Sequence, residues 1–331
     1  MSDFLLSIFF CLINSFWFAA SFAPICIYFA KKFNIVDVPD GRIKIHKQPT
    51  PYLGGLVVYF GLMVGSFIFL PNISTFTLML FALFGLVLLL GLLDDLIFLH
   101  QGIKFLGIAV LSFFFLLTIN HFIGLGDHFW IKFIIYWVWI MSITNAFNLI
   151  DIMDGLSSTS VFFPAAFFLF VAIYQGNYLA TILIASFLGG ILGFFIFNAP
   201  PAKIYMGDSG SLLLGCFISV VPLLLNWESF GLTGYSLPII VLAIPCLEVF
   251  ALIIIRSYKK IPFYLGSPDH FAIYLQKSGW SKWGVLGLVS ILSLVEIFAC
   301  LSYVIFNFNF FGLVVAGVWF LIAWIFLIFI L

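Results

Sequence analysis

Between Thr144 and Leu156 the chain reads Thr-Asn-Ala-Phe-Asn-Leu-Ile-Asp-Ile-Met-Asp-Gly-Leu, which spaces Asn145, Asn148, Asp151 and Asp154 three residues apart. If the stretch is helical, these two amides and two carboxylates share one face. Long apolar runs flank it on both sides, and polar groups beside a bilayer are costly enough that four in register signal a site. Oxygen donors of this kind suit a hard cation such as Mg2+, an ion that commonly accompanies phosphate.

Other constellations carry similar chemistry. Asp94 and Asp95 follow Gly91-Leu92-Leu93 at the end of an apolar run. Adjacent carboxylates repel, so a cation, a basic partner or a shifted pKa must relieve them. Lys104 opens the next run, and a hairpin would bring it back beside the pair. In Ala202–Ser211, Gly207 and Gly210 bracket Asp208 and Ser209 ahead of an apolar helix. Free backbone N–H groups at such a helix start favour an anion or a metal-bound phosphate. The first polar loop, Asp37 to Gly55, sets Arg42, Lys44, His46 and Lys47 in a Pro/Gly frame that would attract an anionic lipid headgroup. His270 ends the loop from Pro262 near a basic cluster, where an imidazole can hold a diphosphate or accept a proton. Glu248, inside an apolar run and eight residues before Arg256, needs a partner or a water-filled cavity.

The elements that position these groups follow from composition. The chain has 331 residues, 64% hydrophobic, 20% aromatic and only 8% charged, which excludes a soluble globular domain. We read an all-α, polytopic integral membrane protein, residues 1–331 forming a single domain. Apolar runs of spanning length lie near 4–29, 53–70, 75–93, 103–120, 129–147, 157–174, 178–197, 210–226, 237–255, 284–304 and 309–330, eleven helices in all. The first run follows Asp3 with no basic segment before it, and reads as a retained span rather than a cleaved signal. The five Cys all lie in apolar stretches without metal or redox spacing, as buried small hydrophobes do. Net charge is zero, so global charge says nothing about partners.

The placement of charge is informative. With eleven spans and the N-terminus outside, twelve of the thirteen Lys and Arg residues fall on inner loops or their edges, and only Lys132 falls outside. Asp37, Asp40, Asp94, Asp95, Asp151, Asp154, Asp208 and Asp269 follow the same side. The polar chemistry therefore gathers at the cytoplasmic ends of helices, with the C-terminus inside.

Taken in order, these pieces resemble the polyprenyl-phosphate N-acetylhexosamine-1-phosphate transferase family (glycosyltransferase family 4). Its members share a D-x-P-x-x-R-K-x-H loop, a DD pair, an N-x-x-N-x-x-D-G-x-D-G segment and a G-D-x-G-S segment. The likeness runs from about Asp37 to His270. It implies transfer of a sugar 1-phosphate from a UDP-N-acetylhexosamine to a membrane polyprenyl phosphate, with UMP leaving. It implies Mg2+, with Mn2+ as a substitute, held by Asn148 and Asp208. Asp94 and Asp95 would serve the lipid phosphate, one of them as a proton acceptor, while Asp151 and Asp154 would line the nucleotide-sugar pocket. Arg42, Lys44, His46, Lys104, Asn145 and His270 would bind substrate. The resemblance further implies a bacterial inner (cytoplasmic) membrane enzyme of envelope polysaccharide, lipopolysaccharide or cell-wall synthesis, open to the cytoplasm. A homodimer is compatible with it, and no nucleic acid is expected as a partner.

The chain departs from the family pattern at Ile152, where Gly is usual. The His-rich stretch is reduced to His270, followed by Phe271, Ala272 and Ile273, and the Arg before it is missing. Lack of a His-His-His run points away from the muramoyl-pentapeptide branch. Two other readings compete. A secondary transporter places its charged site mid-span in broken helices, often with inverted repeats, whereas here the acids sit at run ends and no repeat is visible. An intramembrane aspartyl protease needs two Asp within adjacent spans, and here Asp stands only near span ends. The charge map makes a direct prediction: reporter fusions after Gly124 and after Leu265 should read opposite sides of the membrane, and same-side readings would overturn the topology.

Overall fold

A computed structural model of the chain describes residues 2–37, 49–123, 126, 128–260, 268–306 and 317, 318, 321 and 324. The helices are α1 (Ser2–Lys32), α2 (Gly54–Phe69), α3 (Thr75–Ile97), α4 (Gln101–Ile123), α5 (Phe129–Ile150), α6 (Leu156–Tyr174), α7 (Tyr178–Asn198), α8 (Gly207–Val220), α9 (Leu237–Val241), α10 (Ala243–Tyr258), α11 (Phe271–Lys277) and α12 (Lys282–Phe306). Short 3-10 turns join α8 to α9. Two-residue strands, β1 (Val36–Asp37) and β2 (Thr50–Pro51), pair antiparallel across the first polar loop.

Uninterrupted apolar sequence in a solvent without hydrogen bonds leaves the helix as the way to satisfy the backbone. Side chains close some of the helix ends. Ser74 accepts from Thr77 N–H at the start of α3, and Asn177 accepts from Ala180 N–H at the start of α7.

Eight helices among the described residues are long and apolar enough to cross a membrane, or nine if a bent pair counts as one span. That pair and the shorter α2, of 16 residues, bring ten of the eleven expected runs into helices. The eleventh, 309–330, lies outside the described residues except at 317, 318, 321 and 324.

The expected ninth span, 237–255, is corrected. It breaks at Leu242 and bends by 73° between Thr233–Val241 and Ala243–Tyr258. Pro245 accounts for the break: its ring would collide with a helical carbonyl at Val241, and it has no N–H to donate.

The centre of the bundle is α8, buried from Ser209 to Val220, with α7 beside it. Helices α2, α3, α5 and α6 surround α8, while α7 packs on α1, α2 and α6. Large apolar residues of the outer helices face outward, among them Trp17, Phe114, Trp130 and Phe298. Such residues are at home against lipid tails, which are as apolar as they are.

The helices alternate between two rims. On one rim, Tyr178 Oη donates to Phe69 O (2.9 Å), Asn177 Nδ2 to Leu224 O (2.7 Å) and Tyr303 Oη to Phe230 O (2.8 Å). On the other rim lie Asp37, the ends of α3, α5 and α7, and the starts of α4, α6, α8 and α12, joined by the contacts described next. The acidic motifs, scattered over more than a hundred residues of sequence, thus meet at one end of the bundle.

Candidate active site

The last turn of α3 meets the first turns of α4 and α8. Asp94, 6% exposed, accepts from the Leu99 N–H at 2.6 Å, which fixes its carboxylate across the short α3–α4 turn. The hairpin returns Lys104, as expected, with Nζ 2.7 Å from Asp94 Oδ2 and 3.3 Å from Asp208 Oδ1. From α5, Asn148 Nδ2 donates to Asp208 Oδ1 and, at 3.0 Å, to Ser211 Oγ. Four helices therefore contribute one group each to a cluster of two carboxylates, one ammonium and one amide.

Asp95 turns elsewhere. Its Oδ1 accepts from the Asp208 N–H at 2.8 Å and its Oδ2 from the Ser209 N–H at 3.0 Å. This corrects the expectation of a free N–H cradle at Gly207–Ser211: two of its amides already bind a protein carboxylate. The approach requires glycine at two positions. A Cβ on Gly91 would lie 2.5 Å from Asp208 O, and one on Gly207, at φ 72°, would lie 2.8 Å from Asp95 Oδ2.

The segment after Asn148 also differs from the expected helical face. Helix α5 stops at Ile150, and Asp151 is its non-helical C-cap at φ −79°, ψ 60°. Only Asn145 and Asn148 are helical, while Asp151 and Asp154 stand on the turn into α6, whose N-cap is Gly155 at φ 74°. A spacing of three fits a helix and a tight turn equally. Asn145 is not drawn into the acid cluster, and its Nδ2 donates to Met141 O one turn back at 2.8 Å.

Asp151 accepts from Ser157 Oγ at 2.7 Å. Burial pushes its carboxyl from the ordinary 3.8 up to about 7, and the charges of Asp208, Asp95 and Asp154 push the same way against that hydrogen bond. Asp154 is a junction: its Oδ2 pairs with Lys282 Nζ at 2.8 Å and accepts from the Ala202 N–H at 3.2 Å.

Several participants were not singled out from sequence. Asn198, buried at the end of α7, accepts from Gly155 N–H (3.1 Å) and Ser158 Oγ (3.2 Å) and donates to Ile204 O (3.0 Å). Tyr52 Oη donates to Asp37 Oδ1 at 2.8 Å, and burial, with the charges of Asp37, Asp95 and Asp208, holds its hydroxyl above the usual range. Their only sequence signal is a polar side chain beside an apolar run.

Glu248 finds the partner its position demanded. His270 Nδ1 lies 2.9 Å from Glu248 Oε1, the two residues being 5% and 1% exposed. Next to it, Asp269 pairs with Lys259 and accepts from Tyr274 Oη at 2.8 Å. Gln276 Nε2 reaches Met153 Sδ at 3.3 Å, which sets α11 beside the 151–155 turn. Arg42, Lys44 and His46 lie outside the described residues.

Among the described residues no three His, Cys, Asp or Glu side chains form a ready metal cage. The donors do fit Mg2+, which binds through one or two carboxylates and keeps several waters. Asp94 and Asp208 both face the single Lys104, with Asp95 on the next residue of α3. A divalent cation with anionic substrate would balance these carboxylates.

Comparison with known proteins places this geometry. The model of glycosyl transferase family 4 matches residues 76–226, a stretch that holds every group from Asp94 to Asp208. A probable undecaprenyl-phosphate N-acetylglucosaminyl 1-phosphate transferase of Bacillus subtilis is 34% identical over 264 residues, 76% of this chain and 72% of that one. A phospho-N-acetylmuramoyl-pentapeptide-transferase of Bacillus cytotoxicus is 31% identical over 302 residues, 82% and 90% of the two chains. One from Listeria welshimeri is 31% identical over 291 residues, 80% and 87%.

Two predictions follow from the site's electrostatics. The folded protein holds the Asp151 proton up to about pH 7, while the unfolded chain releases it near 3.8, so stability should fall as pH rises through that window. Melting in detergent with divalent ions chelated should show this fall between pH 3.8 and about 7, and Asp151→Asn should lessen it. His270→Ala removes the imidazole that hydrogen-bonds the buried Glu248, leaving Arg256 as a charged neighbour, and should lower the melting temperature. Glu248→Gln, which keeps a partner for the imidazole, should melt closer to wild type. Equal melting temperatures for His270→Ala and wild type would show that the pair is not structural.

Proposed function

The chain belongs to glycosyl transferase family 4, and we propose that it transfers an N-acetylhexosamine 1-phosphate from a UDP-sugar to a membrane polyprenyl phosphate. UMP leaves and a polyprenyl-diphosphate sugar is formed, the first membrane step of an envelope polysaccharide or lipid-linked glycan. The observation that carries this reading is the convergence of Asp94, Lys104, Asn148 and Asp208 from four helices at one rim, all within the family-matched stretch.

In this reaction an oxygen of the lipid phosphate attacks the sugar-bearing phosphorus of the UDP-sugar. The bond from that phosphorus to the bridging oxygen breaks, and the electron pair leaves with UMP. Such a transfer needs charge neutralisation and in-line placement more than covalent help. The Lys104 ammonium, fixed between Asp94 and Asp208, is placed to hold phosphate charge. Asp94 has one oxygen on Lys104 and the other on the Leu99 amide, so it orients that ammonium. Mg2+ held by Asp208 and Asn148 would supply neutralisation of the diphosphate.

The sidedness of the site is part of the proposal. Twelve of thirteen basic residues share the side of the acids in the sequence map, which supports a cytoplasmic opening where UDP-sugars are found. The missing His-His-His run and the Bacillus subtilis relative support an N-acetylhexosamine donor over the muramoyl-pentapeptide donor.

The test is UMP release by the purified chain with polyprenyl phosphate and a panel of UDP-sugars. One N-acetylhexosamine donor should support turnover with Mg2+, and silence across the panel would overturn the reading. Asp208→Asn should lower turnover by about 10²-fold or more, roughly 2.7 kcal/mol of barrier. Mg2+ should also raise the melting temperature of wild type more than that of Asp208→Asn, a readout independent of turnover.

A further inference from the structure

We propose that Asp95 is a positioning residue, which holds Asp208 in place through the backbone of α8 and touches neither substrate. The inference rests on the transfer reaction proposed above, and on geometry that stands without it. Successive residues on a helix point about 100° apart, so Asp94 and Asp95 leave α3 in different directions. The structure divides them. Asp94 meets Lys104, while Asp95 gives one oxygen to the Asp208 N–H and the other to the Ser209 N–H.

Helix α8 lacks a cap of its own, since its N-cap residue Met206 makes no side-chain capping bond. Asp95 supplies the cap from 113 residues away in sequence. A carboxylate on the first amides of a helix is favoured by direct hydrogen bonds and by the partial positive charge there. The arrangement also uses those amides up, which leaves substrate phosphate to Lys104. One turn before Asp95 on α3, Gly91 lets the backbone of Asp208 and Ser209 come close, where a Cβ would sit 2.5 Å from Asp208 O and from Ser209 Cα. Asp95 and Gly91 thus act on the same object, the start of α8, and only Asp95 carries a functional group.

That difference provides the test. The full chain in detergent is compared as wild type, Asp95→Asn, Gly91→Ala and the double variant. Asp95→Asn should lower kcat by about 10²-fold, the loss expected of roughly 1 Å of misplacement. KM for polyprenyl phosphate and for the UDP-sugar should stay within about threefold, as expected for a residue that binds neither. Gly91→Ala keeps the carboxylate but displaces α8, and should give the same split. The double variant should be little worse than either single one, because the two changes share a target. Amide exchange over residues 206–212, read without substrates, should quicken in all three.

A rise in KM for polyprenyl phosphate in Asp95→Asn with unchanged exchange would place Asp95 on the lipid phosphate and overturn the proposal. Wild-type turnover in Gly91→Ala beside an inactive Asp95→Asn would overturn it too. If Asp95→Asn fails to fold, Gly91→Ala decides alone through its exchange and its kcat. If wild type releases no UMP, the transfer reading fails, and the exchange measurement still tests the cap.

Discussion

Mutual repulsion among Asp94, Asp95, Asp151 and Asp208 is the constraint around which this bundle is arranged. Like charges at a membrane edge separate unless something holds them. Here the restraints are specific: Lys104 binds two of the carboxylates, backbone amides bind Asp94 and Asp95, and Ser157 binds Asp151. Each restraint comes from a different element from the acid it holds, or from the turn that follows that acid. The cluster can therefore exist only if α3, α4, α5, α6 and α8 all reach the same rim in register. Burial adds to the cost of holding the acids there, and raises the Asp151 carboxyl.

The central helix carries much of this arrangement. Because α8 is buried on all sides and surrounded by α2, α3, α5 and α6, its first turn is placed by packing as well as by hydrogen bonds. Interiors at native density do not shift by small amounts without cost. Asp208 inherits that stiffness. The Asp154 junction with Lys282 and the Ala202 amide, and the buried Asn198, then tie the 151–155 turn to α7 and α12.

Much of this was legible in the sequence where the signal is local. The Asp94–Lys104 approach could be read because only Phe98, Leu99 and His100 separate α3 from α4. The spans could be read because their apolar runs are long, and of the five free cysteines Cys11, Cys26, Cys216 and Cys300 are buried, as their surroundings implied, while Cys246 is only half-buried. Legibility fails where one pattern fits two structures or where the partner is remote. The spacing of three over Asn145–Asp154 fitted a helix, yet two of the four groups belong to a turn. The bend at Leu242 has a local signal in Pro245, which a count of apolar residues does not register. The Asp95 cap and the His270–Glu248 pair join residues 113 and 22 positions apart, and no periodicity announces either.

The uneven way the rim is fastened has a consequence for how such a protein can diversify. One half, from α3 to α8, is locked by buried helices and shared hydrogen bonds, so changes there act on the reaction itself. Among the described residues, the other half, α11 and the approach to α12, is tied to the 151–155 turn by the Lys282–Asp154 pair, whose lysine is 39% exposed, and by a Gln276–Met153 contact. Substitutions on that flank could reshape what sits next to the phosphates while the phosphate machinery stays put. A lineage built on this plan can vary one shore without rebuilding the other.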